Sequence, residues 1–270
     1  MGEVEERTSV GSMKFMISPK DVTKEAEKKN VSEEELTVPP FVVLTFNEEI
    51  INELREACNL QEWEWPGAKY SPYASPSKSW KGTVDAKELF VVVPPMGASP
   101  VAAFTEEMIH FGAENIFLLC ASWSLGEKYL RKGQIHLPTF AIGADGTSPH
   151  YGNEQHRVEM DERMEHALEV ALNTVGADWK KGGVGSCEAI YRVTPTLLQT
   201  YRSKGCISME NGEAATLFSI ATTYDVPTGI LFQPYIDVTQ GWTLSFFGKE
   251  YRETCKLQAR AALEVMTEEL

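Results

Sequence analysis

Short apolar segments alternate with amphipathic segments along most of this 270-residue chain. Residues 41–46 (FVVLTF), 88–93 (ELFVVV), 115–121 (NIFLLCA) and 227–238 (PTGILFQPYIDV) have the length and the β-branched, aromatic composition of buried strands. Residues 48–60 (EEIINELREACNL) instead place apolar side chains at helical spacing. This alternation predicts an α/β fold: a single domain with a mostly parallel central sheet flanked by helices on both faces.

The first 38 residues differ from the rest, because they are rich in charge and poor in large apolar side chains. We expect residues 1–38 to form a charged N-terminal arm, either mobile or carrying a loosely attached helix, and residues 39–270 to form the α/β domain. The opening sequence MGEVEE lacks the basic and apolar segments of a secretory signal. Five scattered cysteines without a CxxC pair suit a reducing compartment. Together these features predict a cytoplasmic protein.

Charge and motifs exclude several classes of partner. A formal net charge of −14 argues against nucleic acid, whose phosphates require a basic surface. No apolar run approaches the roughly 20 residues of a membrane span, so no membrane partner is expected. Neither GxGxxG nor a P-loop occurs, and the histidines lack HExxH spacing. We therefore expect no cofactor and no metal.

Residues 208–221 (SMENGEAATLFSIA) begin a helix that reads as buried, yet they contain two carboxylates, Glu210 and Glu213. Negative charge suits a helix N-terminus, where free N–H groups and the macrodipole attract it. A carboxylate at the start of a core helix is also able to bind a polyol. The turn at Gly97 (PPMGASP) has two interpretations as well. It could hold an anion or a ribose through backbone N–H groups, or need glycine only for backbone freedom.

Four motifs carry a resemblance to the nucleoside phosphorylase family, which includes uridine phosphorylase, hexameric purine nucleoside phosphorylase and the methylthioadenosine nucleosidases. They are residues 96–119 (MGASPVAAFTEEMIHFGAENIFLL), 133–151 (GQIHLPTFAIGADGTSPHY), 208–218 (SMENGEAATLF) and 229–240 (GILFQPYIDVTQ). They occur in the family's order, and the resemblance spans about residues 41–265. It implies a mixed, mostly parallel sheet that curls toward a barrel, a nucleoside substrate and cleavage of its N-glycosidic bond. It also implies a homo-oligomer, either a dimer or a hexamer built from dimers.

The resemblance assigns roles to individual residues. Aligned through EAATLF, the family's ribose-binding glutamate falls on Glu213, while Gly212 stands where a methionine packs on the sugar. Asp237 corresponds to the aspartate that protonates or hydrogen-bonds a purine, although it could instead cap a strand-end turn. Tyr191 lies near the base-stacking aromatic, with a core tyrosine as the alternative. The uracil-reading Gln and Arg would fall near Thr194 and Thr196, so uracil specificity loses its main support.

The phosphate site departs from the family pattern. Its anion turn would be formed by Gly97 and Ser122, with phosphate as a candidate co-substrate. However, Glu49 (or Glu48) stands where the N-terminal arginine is expected, and Leu118 replaces the strand arginine. Further along, Ala121 replaces the threonine and Trp123 a glycine. A carboxylate in place of a guanidinium repels a phosphate dianion.

These departures leave three interpretations open. The first is a phosphorylase with a rebuilt phosphate site. The second is a nucleosidase that uses Glu49 or Glu48 to activate water. The third is a nucleoside-binding or assembly protein without catalysis, in which Trp123 fills the former phosphate pocket. Because family sites borrow residues from a neighbouring subunit, His150 and Tyr151 are expected near a subunit boundary.

Overall fold

The computed structural model describes residues 15–71, 76–242 and 248–268. The helices in these ranges are α1 (Lys20–Glu27), α2 (Glu33–Leu36), α3 (Glu48–Cys58), α4 (Ala98–His110), α5 (Glu162–Thr174), α6 (Pro195–Ser203), α7 (Glu213–Tyr224) and α8 (Lys249–Thr267). The strands are β1 (Phe41–Leu44), β2 (Gln61–Glu62), β3 (Lys78–Val84), β4 (Lys87–Val93), β5 (Asn115–Ser124), β6 (Ile135–Gly143), β7 (Arg157–Glu159), β8 (Trp179–Ser186), β9 (Cys206–Glu210) and β10 (Thr228–Asp237). Short 3₁₀ turns cover Pro66–Lys69, Ser148–Tyr151 and Ile190–Arg192.

Five strands close into a barrel in the order β5, β9, β8, β6 and β10, and the long parallel pairing of β10 with β5 completes the ring. Both parallel and antiparallel pairs occur around it: β8 runs parallel to β6 and β9, whereas β9 is antiparallel to β5 and β10 to β6. The expected single α/β domain with a mixed sheet that curls toward a barrel is confirmed.

The sheet continues beyond the barrel through β1, which lies parallel between β5 and β4. Strands β3 and β4 form a hairpin, and its turn places Asp85 and Ala86 at positive φ. The segment 61–81 leads into this hairpin. In the structure it holds β2, a 3₁₀ turn and the first residues of β3, with Ser79 Oγ donating to Trp63 O at 2.6 Å.

Helices cover both sides of the sheet. Helices α3 and α5 pack against α8, which buries Tyr251, Cys255, Ala259 and Ala262. Helix α7 packs against α4, and every residue from 213 to 220 is buried. A helix without a solvent face belongs to the core of its domain, so the carboxylate at the start of α7 is carried into the interior.

The N-terminal segment packs on the domain through a few apolar side chains. Ala26 and Leu36 are fully buried, and Trp65 donates its Nε1–H to Leu36 O at 2.8 Å. Ser32 and Glu35 form a reciprocal capping box at the start of α2. Residues 1–14 of the predicted arm lie outside the described ranges. Within those ranges, no helix combines the length and the apolar character needed to cross a membrane.

His136 lies inside the barrel, where it is fully buried. A carbonyl only accepts, so Nε2–H donates to Gly182 O at 3.1 Å, and Nδ1 accepts from Ser208 Oγ at 2.8 Å. This is the neutral ring. Burial, opposed only in part by the bond to Gly182, lowers its pKa to about 4.

The lowered pKa predicts a pH-dependent stability. Between pH 6.5 and about 4 the unfolded chain binds a proton at His136 that the folded chain does not. The contribution of His136 to the free energy of unfolding is therefore lost as the pH falls. From pH 7.5 to 4.5 this one histidine should remove about 2–3 kcal/mol of unfolding free energy. Urea unfolding of His136→Gln across that range should show a shallower pH slope than the parent. If His136→Gln showed the same pH slope as the exposed control His166→Gln, the pH dependence of stability would not come from His136.

Candidate functional site

Four strands bring their carboxyl ends to one edge of the sheet, because β4, β1, β5 and β10 are parallel neighbours. In α/β folds, ligands bind in the crevice outside the carboxyl ends of such strands. Thr45 follows β1, Gly97 lies in the connection after β4, Ser122 and Asp237 lie near the ends of β5 and β10, and Glu210 ends the neighbouring β9. Most of the residues selected from the sequence therefore come from segments that converge on this edge.

Glu213 links two helix N-termini. It is the first residue of α7 and only 4% exposed, and its Oε1 accepts the N–H of Gly97, the N-cap residue of α4, at 2.9 Å. The dipoles of α4 and α7 both favour negative charge at this point. The anion at the Gly97 turn is thus a side chain of the protein itself. Gly97 also has a φ of +107°, so the turn needs glycine for its conformation as well.

Glu210 fixes the turn that precedes α7. Its Oε2 accepts from the N–H of Gly212 at 2.9 Å and from that of Glu213 at 2.8 Å, and Ser186 Oγ donates to its Oε1. Burial, together with the neighbouring charge of Glu213, raises the pKa of the Glu210 carboxyl well above its usual range. Glu210 therefore serves as the hydrogen-bond acceptor for the N–H groups at the start of α7.

Gly212 has two reasons to be glycine where the family has methionine. Its φ is +109°, and a Cβ there would lie 3.0 Å from Glu188 Cγ and 3.1 Å from Ala98 Cβ. A side chain at this position would push the start of α7 away from the start of α4. The short distance between Gly97 and Glu213 depends on this close approach.

Leu118, Ser122 and Trp123 lie on β5, in the part of the chain where the resemblance places phosphate-binding residues. Leu118 is fully packed in the main core, and Trp123 is 6% exposed in a second apolar cluster, donating Nε1–H to the hydroxyl of Tyr235. Ser122 is also buried, and its Oγ has no hydrogen-bond partner among the described residues. Buried hydroxyls are normally satisfied, so Ser122 is unusual in having an unpaired hydroxyl among the described residues.

The turn after β1 uses its polar side chain to join two helices. Asn47 caps α3 by accepting the N–H of Glu49 at 3.0 Å, and its Nδ2 donates to Tyr251 Oη at 2.6 Å and Cys255 Sγ at 3.2 Å. Gln233 donates to the same sulfur at 2.7 Å. No arginine or lysine takes part in these contacts among the described residues.

The structure separates the two candidate bases in this turn. Glu48 is exposed and lies 3.9 Å from Lys78 Nζ on β3. Glu49 is half-buried on the side of α8. Burial, and to a smaller extent the charge of Glu49, raise the pKa of the Cys255 thiol to about 12, whereas hydrogen bonds from Gln233 and Asn47 oppose that rise. Glu49 is therefore close enough to Cys255 for its charge to act on the thiol, whereas Glu48 is exposed beside Lys78.

Asp237 ends β10 and is held by three donors. Its Oδ1 accepts from Thr239 N at 2.8 Å and from Thr239 Oγ1 at 2.6 Å, and its Oδ2 accepts from Glu127 N at 3.1 Å. These hydrogen bonds form the strand-end turn that the sequence allowed. Asp237 also lines a cavity of about 260 Å³ together with Tyr235 and Arg131.

Two predicted residues lie on the surface. Tyr191 is 91% exposed in the 3₁₀ turn after β8, so the alternative of a core tyrosine is wrong. His150 is exposed in the turn Ser148–Tyr151, beside the partly buried Tyr151. Among the described residues, no group of three or more His, Cys, Asp or Glu side chains is arranged to hold a metal ion.

Sequence reasoning missed the polar cluster of Asn47, Gln233, Tyr251 and Cys255. These residues come from three distant parts of the chain, and only the packing of α8 over the β1 turn brings them together. One signal was available: Asn47 directly before Glu48 and Glu49 is a typical N-cap sequence.

Comparison with known proteins identifies the family. The sequence profile of the Phosphorylase superfamily matches residues 40–267, so the chain belongs to this superfamily. Uridine phosphorylase from Klebsiella aerogenes is 22% identical over 176 residues, covering 60% of this chain and 69% of the relative. The crystal structure of purine nucleoside phosphorylase from Toxoplasma gondii in complex with immucillin-H matches with a TM-score of 0.73 at 17% identity. That match covers 94% of this chain and 96% of the other, and at such identity it establishes the fold.

The close approach at Gly212 predicts a costly substitution. Gly212→Ala should lower the unfolding free energy by about 2–4 kcal/mol, since it adds overpacking against Glu188 and Ala98 to the strain of a positive φ. Gly176 is the matched control, because its φ is also positive (+68°) and a Cβ there would meet nothing within 4 Å. Gly176→Ala should cost only about 1 kcal/mol. Equal losses in urea unfolding would show that the contact with α4 contributes nothing.

Proposed function

We propose that the protein binds a nucleoside at the carboxyl edge of β1, β4, β5 and β10 and cleaves its N-glycosidic bond with water as the acceptor. The observation that carries the sugar site is Glu213, a buried carboxylate fixed between two helix N-termini by its bond to Gly97. An ionised carboxylate is able to accept hydrogen bonds from both the 2′- and the 3′-hydroxyl of ribose. The N–H of Gly97 occupies one acceptor position of the Glu213 carboxylate.

Water is proposed because the edge supplies little for a phosphate dianion. The turn after β1 carries Asn47 and Glu49 in place of cationic side chains, and Asn47 is occupied by α3 and α8. On β5, Leu118 lies in the core. Ser122 and the backbone remain as neutral donors, and neutral hydrogen bonds to an anion are weaker than those from a guanidinium.

The proposed reaction assigns a role to each of the candidate site residues. The oxygen of water attacks the anomeric carbon, while Glu49 accepts the proton that the water loses. The bond from that carbon to the base nitrogen breaks, and its electron pair leaves with the base. The base takes up one proton from solvent and Glu49 releases the one it accepted, so the products are the free base and ribose. Glu213 holds the sugar as positive charge develops on it. Asp237, whose carboxylate is positioned by Thr239 and Glu127, acts as an acceptor for a base N–H, with Tyr191 as the stacking candidate.

A second candidate is a nucleoside-binding protein without catalysis. It is favoured by Trp123, which stands in place of a family glycine and is buried with its indole N–H bound to Tyr235. An aromatic ring of this size excludes solvent and phosphate alike. In this case the protein still contacts the sugar and the base, but the Trp123 ring leaves no room for water or phosphate as the acceptor.

We further propose a cytoplasmic homo-oligomer, dimer or hexamer, in which His150 and Tyr151 lie near a neighbouring subunit. All five cysteines are free thiols, which suits a reducing compartment. Sedimentation at micromolar concentration should show a species larger than the 30.1 kDa monomer. A monomer alone would overturn this part of the proposal.

The sugar contact predicts a matched pair of results. Glu213→Gln should weaken nucleoside binding by roughly 1.5–3 kcal/mol, because a charge-assisted contact with a diol becomes neutral. Glu210→Gln should change affinity little, since glutamine keeps the size of the side chain and an acceptor for the N–H groups of Gly212 and Glu213. Calorimetry with a panel of purine and pyrimidine nucleosides measures both. An unchanged affinity in Glu213→Gln would leave this glutamate as a helix-end charge.

The choice of water as the acceptor predicts the outcome of a second pair of substitutions. Base release from the same panel should proceed at a rate insensitive to phosphate and yield free ribose. Glu49→Gln should lower that rate about 10²–10⁴-fold, as expected for loss of a general base. Glu48→Gln should leave the rate unchanged, because Glu48 faces Lys78. Strict phosphate dependence with ribose 1-phosphate as the product would restore a phosphorylase, and binding without release would favour the second candidate.

A further inference from the structure

The turn between β9 and α7 contains the chain's single Asn–Gly sequence, Asn211–Gly212. Asparagine before glycine is the sequence most prone to deamidation, because glycine has no side chain to shield the backbone nitrogen that attacks the asparagine side chain. Asn211 is half-buried and has no part in the sugar, base or acceptor contacts proposed above. Its reactivity is therefore a separate property of this turn.

Deamidation at this position changes the main chain itself. The nitrogen of Gly212 bonds to Asn211 Cγ, the bond from Cγ to the side-chain nitrogen breaks, and ammonia leaves with the proton from the Gly212 nitrogen. Water then opens the resulting succinimide ring at either carbonyl. One product is aspartate. The other is isoaspartate, in which the main chain runs through the former side chain and is longer by a methylene group.

In the folded turn the attacking nitrogen is occupied. Gly212 donates its N–H to Glu210 Oε2 at 2.9 Å, and Glu213 donates its N–H to the same oxygen at 2.8 Å. Turning the Gly212 nitrogen toward the Asn211 side chain breaks the first bond, while the second holds the far end of the turn in place. Glu210 is itself fixed, because it is only 6% exposed and Ser186 Oγ donates to its other oxygen.

The turn has little freedom to rearrange. Glu210 ends β9, where its carbonyl accepts the N–H of Cys187 at 2.9 Å, and the buried helix α7 begins at residue 213. Gly212 has a φ of +109°, and a Cβ there would lie 3.0 Å from Glu188 Cγ and 3.1 Å from Ala98 Cβ. A main chain that gains a methylene group at this point has to displace its neighbours.

The same arrangement recurs at the chain's single Asp–Gly sequence, Asp145–Gly146. Gly146 donates its N–H to Glu188 Oε2 at 3.1 Å. The Asp145 carboxylate is also held, because its Oδ1 accepts the N–H groups of Thr147 at 2.9 Å and Ser148 at 2.6 Å. The two sequences in the chain that most readily form succinimides thus both have the glycine N–H bound by a glutamate.

We propose that Asn211–Gly212 is a deamidation site that Glu210 keeps nearly inert in the folded protein, and that isoaspartate at position 211 separates α7 from α4. The added methylene group displaces the start of α7, so Glu213 Oε1 loses the N–H of Gly97 that it accepts at 2.9 Å. A covalent change that needs neither an enzyme nor a ligand thereby disables the edge. The reaction depends on the turn alone, whether or not this edge binds a nucleoside.

The test measures deamidation in the full-length protein at mildly alkaline pH. Mass spectrometry of the peptide that contains residue 211 follows the asparagine, aspartate and isoaspartate forms over time, and the same protein held unfolded in urea is the reference. Asn211 should deamidate at least ten-fold more slowly in the folded protein, because the attack requires local opening of the turn. The isoaspartate form, isolated by its added negative charge, should unfold at a lower urea concentration than the unmodified form.

Two substitutions of Glu210 test its role. Glu210→Ala removes the acceptor of both N–H groups and should speed deamidation of the folded protein at least ten-fold, since one lost hydrogen bond to a carboxylate allows such a factor. Glu210→Gln keeps the size of the side chain and an acceptor, so its rate should stay close to that of the parent. Glu107→Ala is the matched control, because Glu107 is also 6% exposed and its hydrogen bond is to Ser71. Its rate at Asn211 should equal that of the parent.

The proposal is overturned if the folded parent deamidates as fast as the unfolded reference, or if Glu210→Ala is no faster than Glu210→Gln. It is also overturned if Glu107→Ala is as fast as Glu210→Ala, or if the isoaspartate form is as stable as the unmodified protein. Should Glu210→Ala fail to fold, hydrogen exchange in the parent decides the role of Glu210. Slow exchange of the Gly212 amide supports that role, and exchange as fast as in the unfolded chain overturns it.

Discussion

The buried carboxylate of Glu213 organises the candidate site. It accepts the N–H of Gly97 and so joins the first residue of α7 to the N-cap of α4. This contact requires the close approach of the two helices at Gly212, and it requires the turn before α7 to be held by Glu210. The core helix α7 therefore begins with charge because two helix N-termini compensate that charge.

The same edge is closed on its other side by neutral contacts. Asn47 bonds to Tyr251 and Cys255, and these bonds fasten α3 to α8 at the turn where the family places phosphate-binding residues. A phosphate dianion arriving there would meet amide, phenol and thiol groups and the half-buried Glu49. The fold of the superfamily is thus retained, and the described side chains that meet at the turn after β1 are neutral or acidic.

Much of the fold could be predicted from the sequence, because the alternating strand and helix segments reflect burial that is local in the chain. The strands at 115–124 and 228–237 appear as apolar runs, and their parallel pairing closes the barrel. The roles of single residues were harder to predict. Tyr191 looked equally suited to a core or a base contact, and only the 3₁₀ turn that exposes it decides against the core. The cluster around Cys255 depends on where α8 packs, which no local pattern encodes.

The most direct measurement is a crystal structure with a nucleoside bound. The proposed site predicts the sugar at the carboxyl edge of β5 and β10, with its 2′- and 3′-hydroxyls within about 3 Å of the Glu213 carboxylate. It also predicts a water molecule, and no phosphate, between Glu49 and the anomeric carbon. A nucleoside bound away from Glu213, or a phosphate ordered at the Asn47 turn in the presence of nucleoside, would contradict it.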